Sequence, residues 1–303
     1  LELRRSDVNR PVRLCLETTG SDGDVRSPGG SVVEFVAQVG ELEVPDNAPS
    51  LTVVDAGGGA FGVGRAGMEY RDLLPDRWGG RFIASHIRID AGGEVADWVH
   101  FHRIRFQMIF VAAGWVEVVY EDQGAPFRME AGDCVLQPPE IRHRVLRSSP
   151  GLEVIEVGCP AEHDTLADHD LVLPTPTESP DRDFGGQRFV RHIAADSPAV
   201  PWLDRSFVVR DTGIASATDG LATVVVVSSA SEPASPALVH DGEFLLLVGL
   251  VGDAVLEVGD RAVAFTPRTS VAIPPATPWR WRDHGPEHEA LVVSLPAGAI
   301  TAR

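Results

Sequence analysis

Val99-His100-Phe101-His102-Arg103-Ile104-Arg105-Phe106-Gln107-Met108-Ile109-Phe110-Val111-Ala112-Ala113-Gly114 is the stretch that most constrains the fold. In a strand, residues two apart face the same side, so His100 and His102 point inward together if either does. Gln107 follows His102 by an odd offset, so a turn near Arg103–Arg105 must intervene before the apolar run Gln107–Ala112. Further on, His143 stands behind Pro138-Pro139, where a chain reversal can return it to the same interior. Three imidazoles converging inside a barrel make a good site for a divalent transition ion.

Outward from this stretch the pattern repeats. Glycine (30) and proline (23) punctuate the chain every eight to twelve positions, and short runs rich in Val, Ile, Phe and Leu lie between them. Phe82–Ile89, Trp115–Tyr120, Leu152–Val157, Thr223–Val227, Phe244–Leu250 and Leu291–Leu295 are examples. Sustained helical periodicity is absent, so the expected fold is all-β, a barrel or sandwich. The chain also echoes itself. Tyr70-Arg71-Asp72 returns as Val209-Arg210-Asp211, Val99-His100 as Val239-His240, and Val135-Leu136-Gln137-Pro138-Pro139 as Val271-Ala272-Ile273-Pro274-Pro275. The expected organisation is an N-terminal extension over 1–60 with a mobile Gly-, Ser- and Asp-rich loop at Thr18–Ser31, then a first barrel over 61–163. An acidic, Pro- and Thr-rich linker over 164–185 leads to a second barrel over 186–303.

Gly93, His100-Phe101-His102, Gln107 and Gly114, followed by Gly132, Pro138 and His143, resemble the two motifs of the cupin superfamily, G(x)5HxH(x)3–4E(x)6G and G(x)5PxG(x)2H(x)3N. With the second copy the resemblance is to a bicupin, two tandem jelly-roll (double-stranded β-helix) barrels. Four positions depart from the pattern. Gly93 is one residue early, Gln107 replaces the Glu, Glu140 replaces the second-motif Gly, and Arg147 replaces the final Asn. The resemblance implies one divalent transition-metal ion on His100, His102 and His143, with Gln107 as a fourth ligand or a hydrogen-bond donor beside it. Fe(II) is the leading ion, with Mn2+, Ni2+ and Zn2+ as alternatives.

Three neutral imidazoles and a neutral amide leave the ion's charge uncompensated, which favours an anionic, chelating small molecule. The expected activity is that of a non-haem iron dioxygenase, an oxidoreductase. A redox-neutral lyase, hydrolase or isomerase, or a non-catalytic small-ligand binder, are the alternatives. In the second copy, aligning Val239-His240 with Val99-His100 leaves Gly242 and Trp279 at the other ligand positions, so no metal is expected there.

An HxH pair alone is more often two packed or surface histidines; the added Gln107 and His143 carry the metal reading. Trp98, two before His100, and Met108 are candidate pocket residues, with core packing as the plainer reading. Tyr120 and Glu140 are candidate acid–base groups, although an exposed turn carboxylate is the plainer reading of Glu140. His86 reads as a hydrogen-bonded strand histidine. Glu162-His163 and His169-Asp170 read as exposed, and His284 and His288 complete no site. Gly57-Gly58-Gly59 lacks the Lys-Ser/Thr of a phosphate loop. Ser228–Ala237 is a candidate loop over one barrel mouth.

Composition limits the partners. The chain has 303 residues, 26 Lys plus Arg and 44 Asp plus Glu, a formal net charge of −18. Such a surface disfavours nucleic acid and anionic membranes, leaving a small-molecule substrate as the expected partner. No apolar run approaches the ~20 residues that span a bilayer. Leu1-Glu2-Leu3-Arg4-Arg5 lacks the apolar core of a secretory signal. Cys15, Cys134 and Cys159 form no disulfide or metal spacing, so a cytoplasmic setting is expected. Tandem barrels allow either a monomer or a homodimer.

Overall fold

The computed structural model describes residues 13–18, 23–26, 32–37, 42–203, 206–230 and 236–303. Most of the expected loops Thr18–Ser31 and Ser228–Ala237 lies outside the described residues. Residues 1–43 form one unit and Val44–Arg303 another. In the first, Arg13–Thr18 runs parallel to Val32–Ala37, with Gly23–Arg26 antiparallel on the other side.

The second unit is built from two pairs of facing sheets. The larger sheet of the first barrel has the order Val190–His192, Cys134–Leu136, Phe106–Ala113, Leu152–Cys159, Ile83–Ile89, Glu69–Asp72, Gly62–Val63. Its smaller sheet has Phe127–Glu130, Trp115–Tyr120, His143–Ser148, His100–His102 and Thr165–Ala167, with Gly93–Glu94 against His143–Ser148. The second barrel repeats the plan. Val200–Trp202, Phe207–Asp211, Thr223–Ser229, Glu289–Leu295, Phe244–Val251, Ser270–Ala272 and Thr52–Val54 make its larger sheet. Arg261–Phe265, Ala254–Val258, Trp279–Arg282, Leu238–His240 and Ile300–Ala302 make the smaller.

Sheet membership crosses the chain order twice, in a reciprocal way. Thr52–Val54, which precedes the first barrel, pairs with Ser270–Ala272 of the second. Val190–His192, which precedes the second, pairs with Cys134–Leu136 of the first. Each large sheet is therefore extended by an edge strand from outside its barrel's own run of residues.

The larger sheets are apolar on both faces, which explains the unbroken run Phe244–Val251 in an antiparallel strand. Phe106, Met108 and Phe110 turn to a core shared with Phe244, Leu246 and Val248, while Leu245 and Leu247 fill the second barrel's interior. Charges sit at the rim of that shared core. Glu243 accepts from Arg81 and Arg105 at 2.6 and 2.7 Å, and although burial acts to raise its carboxyl, the two guanidinium groups hold it below the usual range.

The pairings give a register between the barrels that corrects the sequence alignment. Glu140 N donates to His102 O at 2.9 Å, and Ala276 N donates to His240 O at 2.8 Å. His143 stands opposite His100, and Trp279 opposite Leu238. His240 therefore corresponds to His102, and Leu238 to His100, two residues away from the Val-His match. A bulge recurs at the same place, between Val111 and Ala113 and between Gly249 and Val251. In this register Gln107, Tyr120, His143, Val145 and Glu156 become Leu245, Val258, Trp279, Trp281 and Val292. The second interior is thus filled by two indoles and aliphatic side chains, and one histidine of the triad remains.

His288, on the second barrel, is 1% exposed, and neither ring nitrogen has a hydrogen-bond partner among the described residues. Burial first, then His284, push its pKa down to about 4, against an opposing effect of Glu289. A histidine depressed in the folded state is protonated first when unfolded. Stability is therefore lost as pH falls from about 6.5 toward 4. His288→Leu is expected to reduce that acid loss by about 2 to 3 kcal/mol, measured by urea unfolding at pH 7 and near pH 4. Equal acid losses in variant and parent would contradict this assignment.

Candidate metal centre

His100 and His102 lie on one short strand and His143 opens the strand paired with it, so alternation and register together bring three rings to one wall of the first barrel. Their candidate ligand atoms all lie within 4.8 Å of one another. Ring centroids are 4.2 Å apart for His100 and His143, and 5.2 and 5.3 Å for the other pairs.

The outer nitrogens are committed. His100 Nδ1 donates to Trp98 O and His143 Nδ1 to Ile141 O, both at 2.9 Å, while His102 Nδ1 hydrogen-bonds Thr165 Oγ1 at 3.0 Å. Because a carbonyl only accepts, His100 and His143 carry their proton on Nδ1 and present the Nε2 lone pair. Burial is the first cause that lowers the pKa of all three rings; Arg65 adds to it in each, and His100 adds to it for His102 and His143. His102 falls to about 2, while the Trp98 carbonyl and Asp97 oppose the shift at His100. Neutral, oriented imidazoles are the form that ligates a metal ion. His100 Nε2 accepts from Arg65 Nη2 at 2.7 Å, so an ion on this nitrogen requires the guanidinium to swing off it. By this donor set the residues fit a divalent transition ion.

The rings border a cavity of about 460 Å3. Tyr120 lines it, stacked on His143 at 5.4 Å between centroids, and accepts from Gln137 Nε2 at 3.1 Å. Burial pushes the Tyr120 phenol up, against the opposing Gln137 bond, so it remains a hydrogen-bond donor rather than a base. Gln107 also lines the cavity, and its Nε2 donates to Glu156 Oε1 at 2.6 Å. A glutamate at 107 would set two carboxylates together, whereas the amide supplies the donor that Glu156 needs. Relative to the motif, the carboxylate has moved to the neighbouring strand.

Two expected pocket residues lie elsewhere. Met108 is fully buried in the core shared by the barrels, because on its strand Gln107 and Ile109 take the cavity side. Trp98 is 44% exposed, since the strand begins at His100 and two-residue alternation does not extend back to it. Glu140 sits at a turn with φ 61° and its exposed carboxylate faces Arg103 at 3.7 Å, away from the cavity.

Several lining residues escaped sequence reading. Glu156 is one, and alternation along Leu152–Cys159, which puts it on a face with Leu152 and Val154, is the signal that marks it. His163, expected in solvent, lines the cavity 5.3 Å from the His102 ring, held by the pairing of Thr165–Ala167 with the His100–His102 strand. Arg65 enters from a loop in which Ala66 has φ 53°, and no periodicity marks it. His86 is the expected structural histidine, bonded to Glu153 at 3.1 Å outside the cavity.

No family model and no curated protein matches the chain. Solved structures do. A variant of Bacillus subtilis oxalate decarboxylase aligns with a TM-score of 0.62 at 12% identity, over 86% of this chain and 81% of that one. The Lactobacillus farciminis oxalate decarboxylase–formate complex aligns with a TM-score of 0.60 at 13% identity, over 86% and 90%. A further B. subtilis oxalate decarboxylase structure, described for its Mn(II) centres, aligns at 11% identity with a TM-score of 0.60, over 86% and 81%. At such identities the likeness establishes the fold.

Proposed function

We propose that this bicupin is a metalloenzyme whose first barrel holds one divalent transition ion on His100, His102 and His143, and that it oxidises a small chelating anion with O2. The observation that carries this reading is the triad itself: two buried and one half-buried neutral imidazole, their outer nitrogens anchored, with no carboxylate in the cluster among the described residues. An ion there supplies Lewis acidity and open positions, and Fe(II), our assignment, adds redox chemistry toward O2. The side chains do the rest. Arg65 attracts and orients an anion, Tyr120 offers a phenol donor, and the apolar walls exclude water. Gln107 holds Glu156, an acceptor for a proton released from the substrate. The filled second barrel supports the first through their shared core. Cys134 and Cys159 are buried and free, which accords with a cytoplasmic setting. No described helix is long and apolar enough to cross a membrane.

A redox-neutral reaction on Mn2+ is the second reading, favoured by the fold shared with oxalate decarboxylases. O2-electrode measurements on iron-loaded protein, over enolisable ketones, catechols and thiols, separate the two. Substrate-dependent O2 uptake is expected. Turnover without O2 uptake would overturn the dioxygenase assignment in favour of the second reading.

A further inference from the structure

We infer that the ligand of this cavity is an amphiphile, a carboxylate or enolate head on an extended apolar body that carries no further charge. The inference deepens the metalloenzyme reading and rests on it. The space, about 460 Å3, lies in the range that encloses a molecule of some size. Its walls are aliphatic, with Ile87, Ile109, Val118, Val145, Leu152 and Val154 all contributing. The histidines, Arg65 and Tyr120 form one contiguous polar group through the Arg65–His100 bond and the Tyr120–His143 stack.

Besides the ion, two side-chain charges border the cavity. Arg65 Nη1 is buried and has no acceptor among the described residues, so the guanidinium can still donate to an anionic oxygen. Glu156 also lines the cavity, and its described polar partner is the neutral Gln107. A second negative group placed along the body, beyond reach of the ion, would therefore meet a carboxylate and aliphatic walls. The second barrel shows what removes the space: Trp281 stands where the first has Val145, and Trp279 where it has His143.

The test is calorimetric binding of acetate, butanoate, octanoate and oxalate to the full chain loaded with Zn2+, with metal content measured on the same samples. Each buried methylene should tighten binding about fourfold, so octanoate should bind on the order of a hundredfold tighter than butanoate. Oxalate, which can chelate Zn2+ through both carboxylates, is the control that reads the ion without an apolar body. Arg65→Ala should weaken octanoate by about tenfold or more while keeping the chain-length trend, and Arg65→Lys should recover part of the loss. Val145→Trp should abolish the trend at unchanged metal content. Should that variant not fold, Val118→Phe and the parent series carry the same comparison. Affinity flat from acetate to octanoate would overturn the inference. With one ion per chain bound, that failure leaves the metalloenzyme reading standing. A clear chain-length trend in protein that takes up no metal supports the amphiphile and sinks the metalloenzyme reading instead.

Discussion

His143→Ala should lose at least nine-tenths of its bound divalent ion after dialysis while keeping a cooperative unfolding transition. His143 joins the triad from the neighbouring strand, 4.2 Å from His100 and 5.3 Å from His102 between ring centroids. Its removal leaves two imidazoles, fewer than a structural or catalytic ion ordinarily takes from protein. The cost to the fold is smaller. The ring borders a cavity, so truncation enlarges existing space, and it leaves the Ile141 carbonyl without its 2.9 Å donor. Such a loss is worth about 1–3 kcal/mol. Metal analysis beside thermal unfolding separates loss of the ion from loss of the fold. Full metal retention in His143→Ala, and in the His100→Ala/His143→Ala double variant, would discard the site.

Phe244→Ala should destabilise the molecule by about 3–5 kcal/mol, a large part of the 5–15 kcal/mol that holds a typical domain together. Its ring is fully buried, stacked on Phe82 at 4.1 Å and edge-on to Trp78 at 5.3 Å. Both partners belong to the first barrel's side of the shared core, and Phe244 to the second. Truncation leaves a cavity between rigid sheets that close little of it, because both faces are already packed. Since the core is common, the variant should unfold in one transition at lower denaturant. Two resolved transitions, or a loss under about 1 kcal/mol, would show that the barrels are energetically separate.

The fold was legible because short apolar runs between Gly and Pro have few other solutions, and the HxH spacing encodes a shared strand face. The triad was legible for the same reason. What escaped depended on register and loops. The Val-His dipeptide suggested that His240 matched His100; backbone pairing places it with His102, because two shared residues cannot fix a register that a two-residue slip preserves in facing. Trp98 failed as a pocket residue because alternation holds only within a strand. His163 was obscured by its acidic surroundings, although the strand beginning at Thr165 draws it to the cavity. Arg65 is set by a loop conformation, and loops carry no periodic signal.

The most direct test is elemental analysis of full-length protein purified without a histidine tag. One divalent transition ion per chain is expected, Fe(II) when prepared without oxygen. Either no bound ion under metal-replete conditions, or two per chain with the second surviving loss of His143, would contradict a single centre in the first barrel.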